Sequence, residues 1–124
     1  MSLLLDSNCL LWWLAEIRLS DELLMRLETE RQLFISLITP WELWVKSAAG
    51  RLALPLDFED ELTGVDRLTL LAPTLDDARR AAHLPMLHRD PFDRMIIAQA
   101  LNANLTVVTG DGRFRDYGCD VILV

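Results

Sequence analysis

Two cysteines, two histidines, one tyrosine and one lysine are all that this chain of 124 residues holds of those types, and each shortage removes a class of protein. Cys9 and Cys119 lie near opposite ends with no C-x-x-C spacing, so they form neither a disulfide framework nor a cysteine-rich zinc site. They read as buried free thiols, with a single bridge as the alternative, and a reducing cytosol suits them best. The longest uncharged stretch, 95–110, is interrupted by Gln99, Asn102 and Asn104. It falls short of the ~18 apolar residues that suggest a membrane span. The apolar N-terminus lacks a basic leader and is cut by Asp6, which argues against a secretory signal. A cytoplasmic protein without membrane contact is expected. Repeats, low-complexity runs and Gly/Ser linkers are also missing, so residues 1–124 read as one domain, long enough to bury roughly 65% of the unfolded surface.

Positive charge is the next scarcity. Twelve Lys and Arg stand against 19 Asp and Glu, for a net charge of −7. The protein as a whole therefore does not attract nucleic acid at long range, and a polyanion would dock locally or through metal. All the cations except Lys46 are arginines, whose planar fork suits carboxylates and phosphates.

What is present is a regular alternation of elements. Apolar runs at 2–5, 32–37, 68–72, 105–109 and 121–124 read as strands. Helical spacing recurs at 7–16, at 21–30 behind the cap Ser20, and from Thr39-Pro40-Trp41-Glu42 to a stop at Gly50. It returns at 58–65, at 74–83, and from Asp90-Pro91-Phe92-Asp93 to about Asn104. Strands separated by such helices predict an α/β domain with a mainly parallel central sheet flanked by helices on both faces.

In such sheets function gathers at the carboxyl ends of the strands. Asp6 ends the first strand, Glu42 and Asp93 sit in first helical turns, and Asp111 follows the strand 105–109. Singly, each has an ordinary explanation. Glu42 with Thr39, and Asp93 with Asp90, have capping-box spacing, and Asp6 and Asp111 could be turn residues. Together, four acids at one rim oppose each other's ionisation, so either some are protonated or a cation offsets them. Oxygen-only ligands favour Mg²⁺ or Mn²⁺.

The segments L-L-L-D-S-N-C-L-L-W-W-L (3–14), P-W-E-L-W-V-K (40–46), G-R-L-A-L-P (50–55), L-P-M-L-H-R-D-P-F-D-R-M-I-I-A-Q-A (84–100) and T-G-D-G-R-F-R-D-Y-G (109–118) span the chain in order. They resemble the PIN domain, in particular its VapC-type toxin branch. The resemblance implies a PIN-like fold and a Mg²⁺- or Mn²⁺-dependent endoribonuclease that hydrolyses RNA by metal-activated water. It also implies a cognate antitoxin protein that neutralises it, and a homodimer or larger complex. The family's acids carry over to Asp6, Glu42, Asp93 and Asp111. Asp6, Asp93 and Asp111 would be metal ligands, with Glu42 positioning or deprotonating the attacking water. Ser7, Asn8 and Thr109 would orient carboxylates or water.

The sequence departs from the family in places. Ser7-Asn8 stands where D-T followed by His or Asn is usual, Ile38-Thr39 replaces a serine-richer stretch, and Leu87 replaces the first histidine of L-P-x-H-H. His88, left alone, reads as a hydrogen-bonded structural residue. Asp90 competes with Asp93 for the ligand position, and Asp93 is preferred because Asp90 suits the helix cap. Lys46, Arg51, Arg89, Arg94, Arg113 and Arg115 are the candidates for RNA phosphate contacts. Of Trp12, Trp13, Trp41 and Trp44, one of the adjacent pair is expected to meet a partner, because both cannot face inward from one helix. Two other readings remain: a noncatalytic PIN-like binding module, and an Asp-nucleophile phosphotransfer enzyme, which asks either for a second Asp where Asn8 sits or for an acidic pair near Asp6 with a late lysine, where Lys46 is the only lysine.

Overall fold

Alternate leucines of the first strand point into two different cores, and the architecture follows from that. The computed structural model describes residues 2–124. Strands β1 (Leu3–Leu5), β2 (Leu33–Ser36), β3 (Leu68–Leu71), β4 (Thr106–Thr109) and β5 (Asp120–Leu123) form one sheet in the order β3-β2-β1-β4-β5. Every pairing is parallel, with Leu3 opposite both Leu33 and Thr106. Leu3, Leu5, Leu33 and Val108 pack with Cys9, Leu23 and Leu27. Leu4 and Val107 pack with Ile96, Ile97, Ala100 and Phe114. Both faces are covered, which is why the central strands read as unbroken apolar runs.

Helices α1 (Ser7–Leu14), α2 (Asp21–Thr29), α3 (Ile38–Ala48), α4 (Phe58–Thr63), α5 (Leu75–His83) and α6 (Pro91–Ala103) connect the strands, and a 3₁₀ turn at Gly112–Tyr117 lies between β4 and β5. That turn has no counterpart in the sequence expectation. Local chemistry sets most of the boundaries. Asp6 accepts from the Cys9 N–H, Ser20 from Leu23, and Asp90 from Phe92 ahead of Pro91. Thr74 and Asp77 form a reciprocal capping box. Each cap is worth about 1 kcal/mol.

One expected cap is absent. α3 begins at Ile38, and Thr39 makes no cap hydrogen bond. The Ile38 N–H is satisfied by Ser36 Oγ instead, and Pro40 sits harmlessly where helical N–H groups have no intrahelical acceptor. Thr39 and Glu42 are thereby released to face α1. The tryptophans also differ from expectation. Trp12 and Trp13 both pack against the core, whereas Trp41 and Trp44 are 57% and 45% exposed. Both cysteines are free thiols. Among the described residues no helix is long and apolar enough to cross a membrane.

From β1 the chain builds outward through β2 to β3, then returns through α5 and α6 to place β4 on the other side of β1. The strand order therefore reverses between β1 and β4. A crevice opens at the carboxyl ends of these two strands.

Candidate functional site

Asp6 is the first residue beyond β1, and Thr109 is the last of β4. Their contact joins the two strand ends: Thr109 Oγ1 donates to Asp6 Oδ2 at 2.5 Å and accepts from the Asp111 N–H at 3.0 Å. One buried hydroxyl thus fixes an acid on each side of the crevice. The other oxygen of Asp6 caps α1 through the Cys9 N–H at 2.9 Å. Burial pushes the Asp6 carboxyl above its ordinary range even against these hydrogen bonds, and the Glu42 charge adds to the rise.

An open cleft of about 700 Å³ is lined by Asp6, Asn8, Asp93 and Asp111, with Trp12, His88, Arg89 and Arg113 completing its walls. Gly110 belongs to the same wall because a Cβ there would meet the Trp12 ring at 3.1 Å. Asp93 enters from the first turn of α6, and Asp90 is the cap. The two acids that compete in the sequence therefore have separate tasks. Burial, joined by the charges of Asp90, Glu42, Asp6 and Asp111, pushes the Asp93 carboxyl up to about 7. Asp111 behaves in the opposite way. Arg113 donates to it from Nε, Nη2 and its backbone N–H at 2.8–3.1 Å, and these bonds hold the carboxyl at about 2 against its partial burial.

Glu42 reaches the site indirectly. Its Oε1 accepts from Ser7 Oγ and its Oε2 from Lys46 Nζ, both at 2.6 Å, and the residue is 2% exposed. Both oxygens are engaged and hidden, so in this arrangement Glu42 is not placed to touch an incoming water as expected; it acts on the cleft through its charge. Lys46 is paired with it rather than free for phosphate. Arg94 is a further correction. It is buried, and its guanidinium donates to the carbonyls of Ala81, Leu84, Pro85 and His88 at 2.7–3.1 Å, which excludes phosphate contact. Arg89 and Arg113 do line the cleft, while Arg51 and Arg115 are exposed and outside its lining.

His88 is the residue that sequence reasoning undervalued. It is 4% exposed, and its Nε2 lies 3.0 Å from Asp111 Oδ2 and 2.9 Å from Asp93 Oδ2. His88, Asp93 and Asp111 can bring one ligand atom each to within 4.8 Å of one another. The signal available was position: His88 directly precedes the Arg-Asp-Pro cap that sends α6 into the rim.

Fold and site together define a parallel α/β domain with an acidic cleft at its topological switch point. The chain belongs to the PIN domain family, whose match covers residues 3–118. Its structure is similar to a chain of VapBC2 from Rickettsia felis bound to a promoter DNA fragment (TM-score 0.73, 17% identity, covering 100% of this chain and 99% of that one). It is also similar to DNA-bound VapBC from Salmonella typhimurium (0.73, 21%, 98% and 97%). A third similar structure is VapBC-1 from nontypeable Haemophilus influenzae (0.71, 19%, 99% and 98%). No curated protein matches the sequence.

Proposed function

We propose that this PIN domain is the toxin of a toxin–antitoxin pair, a cytoplasmic endoribonuclease that depends on Mg²⁺ or Mn²⁺. One observation carries the reading: Asp93, buried among like charges in the cleft that Asp6 and Asp111 also line, has a carboxyl pushed up to about 7. Such a site favours either a proton or a cation, and its donors are oxygens, which suit hard divalent ions. Asp6, Asp93 and Asp111 would hold the ion. Once bound, it would supply an activated water and neutralise charge developing on the phosphodiester.

The chain's own residues do the rest. Thr109 fixes the orientation of Asp6 and the entry of Asp111, while Ser7 and Lys46 hold Glu42 as a buried negative charge. Asn8 stands exposed on the cleft wall, able to hydrogen-bond water or RNA. Arg89 provides a local phosphate contact at the mouth, while Arg113 is committed to Asp111 as Lys46 is to Glu42.

The similar VapBC structures are toxin–antitoxin complexes, and the acidic cleft suits a basic antitoxin side chain in the way that Arg113 already engages Asp111. Away from the acidic cleft, an apolar groove lined by Leu37, Trp41, Trp44 and Leu70 is available for a homodimer or the antitoxin. The test is hydrolysis of a labelled structured RNA beside a phosphomonoester, with Mg²⁺, Mn²⁺ or EDTA. The nuclease reading expects metal-dependent RNA cleavage that is lost in Asp6→Asn and Asp93→Asn. Cleavage by both variants at the unsubstituted rate rejects the assignment, inert but tight RNA binding favours a noncatalytic module, and turnover of the monoester favours an aspartyl nucleophile.

A further inference from the structure

His88 is tied down at both ring nitrogens. Its Nδ1 accepts from the Asp90 N–H at 3.2 Å, so that nitrogen presents a lone pair and the ring proton sits on Nε2. Nε2 then donates to Asp111 Oδ2, with Asp93 Oδ2 2.9 Å away. A nitrogen that carries a proton cannot also donate its lone pair to a cation. His88, Asp93 and Asp111 are close enough to be taken for three ligands, but only the two carboxylates qualify.

The ring is held in this setting. It is 4% exposed and meets Phe114 in an edge-on contact with centroids 6.0 Å apart. Its backbone is gripped from two elements. The Tyr117 hydroxyl accepts from the N–H groups of Leu87 and His88 at 3.1 and 2.7 Å, and donates to the Pro85 carbonyl at 2.7 Å. From α6, Arg94 donates to the carbonyls of Pro85 and His88 at 3.0 and 3.1 Å. Tyr117 and Arg94 therefore freeze the segment that aims the imidazole.

We propose that His88 is a positioning residue of the metal site: an imidazole whose Nε2–H holds the carboxylates of Asp93 and Asp111 around one nitrogen, in a frame built by Tyr117 and Arg94. The proposal rests on the metal-dependent reading above and adds that this histidine acts through the carboxylates, not on the ion.

The full-length protein tests it without any RNA. With only two histidines in the chain, ¹⁵N NMR of the imidazoles reads the tautomer directly, and a protonated Nε2 at His88 is expected. Mn²⁺ titrations followed by EPR then compare the unsubstituted protein with His88→Gln, His88→Ala and Tyr117→Phe. Glutamine keeps an N–H donor near the position of Nε2 and should bind Mn²⁺ within about threefold of the original. Alanine should weaken binding by about tenfold or more, as removal of an outer hydrogen-bond partner does. Tyr117→Phe should weaken it less, with the fold intact by thermal melting. Pulsed EPR should show no ¹⁴N coupling from His88 to Mn²⁺; coupling that disappears in His88→Gln makes it a ligand and overturns the proposal. Unchanged Mn²⁺ affinity in a folded His88→Ala protein overturns this assignment alone, whereas an unsubstituted protein that binds no Mn²⁺ overturns the nuclease reading with it.

Discussion

The two walls of the cleft carry the same pair of residue types and use them in opposite ways. On the wall after β4, Arg113 lies in the open and its guanidinium closes on Asp111, whose carboxyl falls to about 2. On the wall formed by α6, Arg94 follows Asp93 directly but turns inward to four carbonyls, and the Asp93 carboxyl rises to about 7. Burial and the surrounding acids raise Asp93, and Arg94, turned inward, does not offset them, whereas Arg113 closes on Asp111 and lowers it. The difference holds one carboxyl well below its ordinary range and the other well above it.

Asp93→Asn should break this asymmetry most severely. RNA cleavage should be abolished, while the metal-free protein should become more stable at pH 8, by at most about 4 kcal/mol if the whole displacement of the carboxyl from its ordinary value is recovered. Cleavage assays and thermal melts in EDTA check the two halves. The sign can also be read by titration. Between the ordinary 3.8 and about 7 the folded protein keeps a proton on Asp93 that the unfolded chain has released. Stability contributed by this group is therefore full at low pH, falls as pH rises through that window, and levels off above it. Mn²⁺ should flatten the curve, and denaturation at several pH values, with and without the ion, measures this.

Arg94→Lys should come next, at about 3 kcal/mol of destabilisation, because an ammonium cannot serve four carbonyls that a planar fork reaches together. Equilibrium urea unfolding gives the number. Gly110→Ala should cost about 1–2 kcal/mol by forcing Trp12 away from the wall, visible as a change in tryptophan fluorescence and a lower melting temperature. Arg113→Ala should have the smallest effect on stability, because the arginine itself lies in solvent. Its signature is electrostatic: the Asp111 carboxyl should return from about 2 toward its ordinary value, seen by NMR titration.

How far the sequence reveals this arrangement depends on the kind of information each part needs. The parallel sheet is legible because strands covered on both faces must be apolar throughout, and the caps Ser20, Thr74 and Asp90 stand where their chemistry requires. Asp6, Asp93 and Asp111 are legible because strand ends and helix starts in a parallel sheet face one rim, and because the PIN-like segments carry acids at those positions. Thr39 is misread because an identical Thr-Pro-x-Glu spacing serves either a cap or a helix that starts two residues earlier, and only the nearby Ser36 hydroxyl decides between them. Arg94 is misread for a related reason, and His88, correctly read as hydrogen-bonded, gives no sign in the sequence of which groups it meets. Residue type shows what a side chain can do, whereas the loop carbonyls and carboxylates that engage these two are brought there by tertiary folding.

The hydrogen bond from Thr109 to Asp6 closes a loop over nearly the whole length of the chain, and this orders events during synthesis. Because a growing chain emerges amino end first, Asp6 is exposed long before its partner exists, and the cleft cannot be assembled until β4 has left the ribosome. A cleft that needs both ends of the chain is therefore expected to form only when synthesis of the domain is nearly complete.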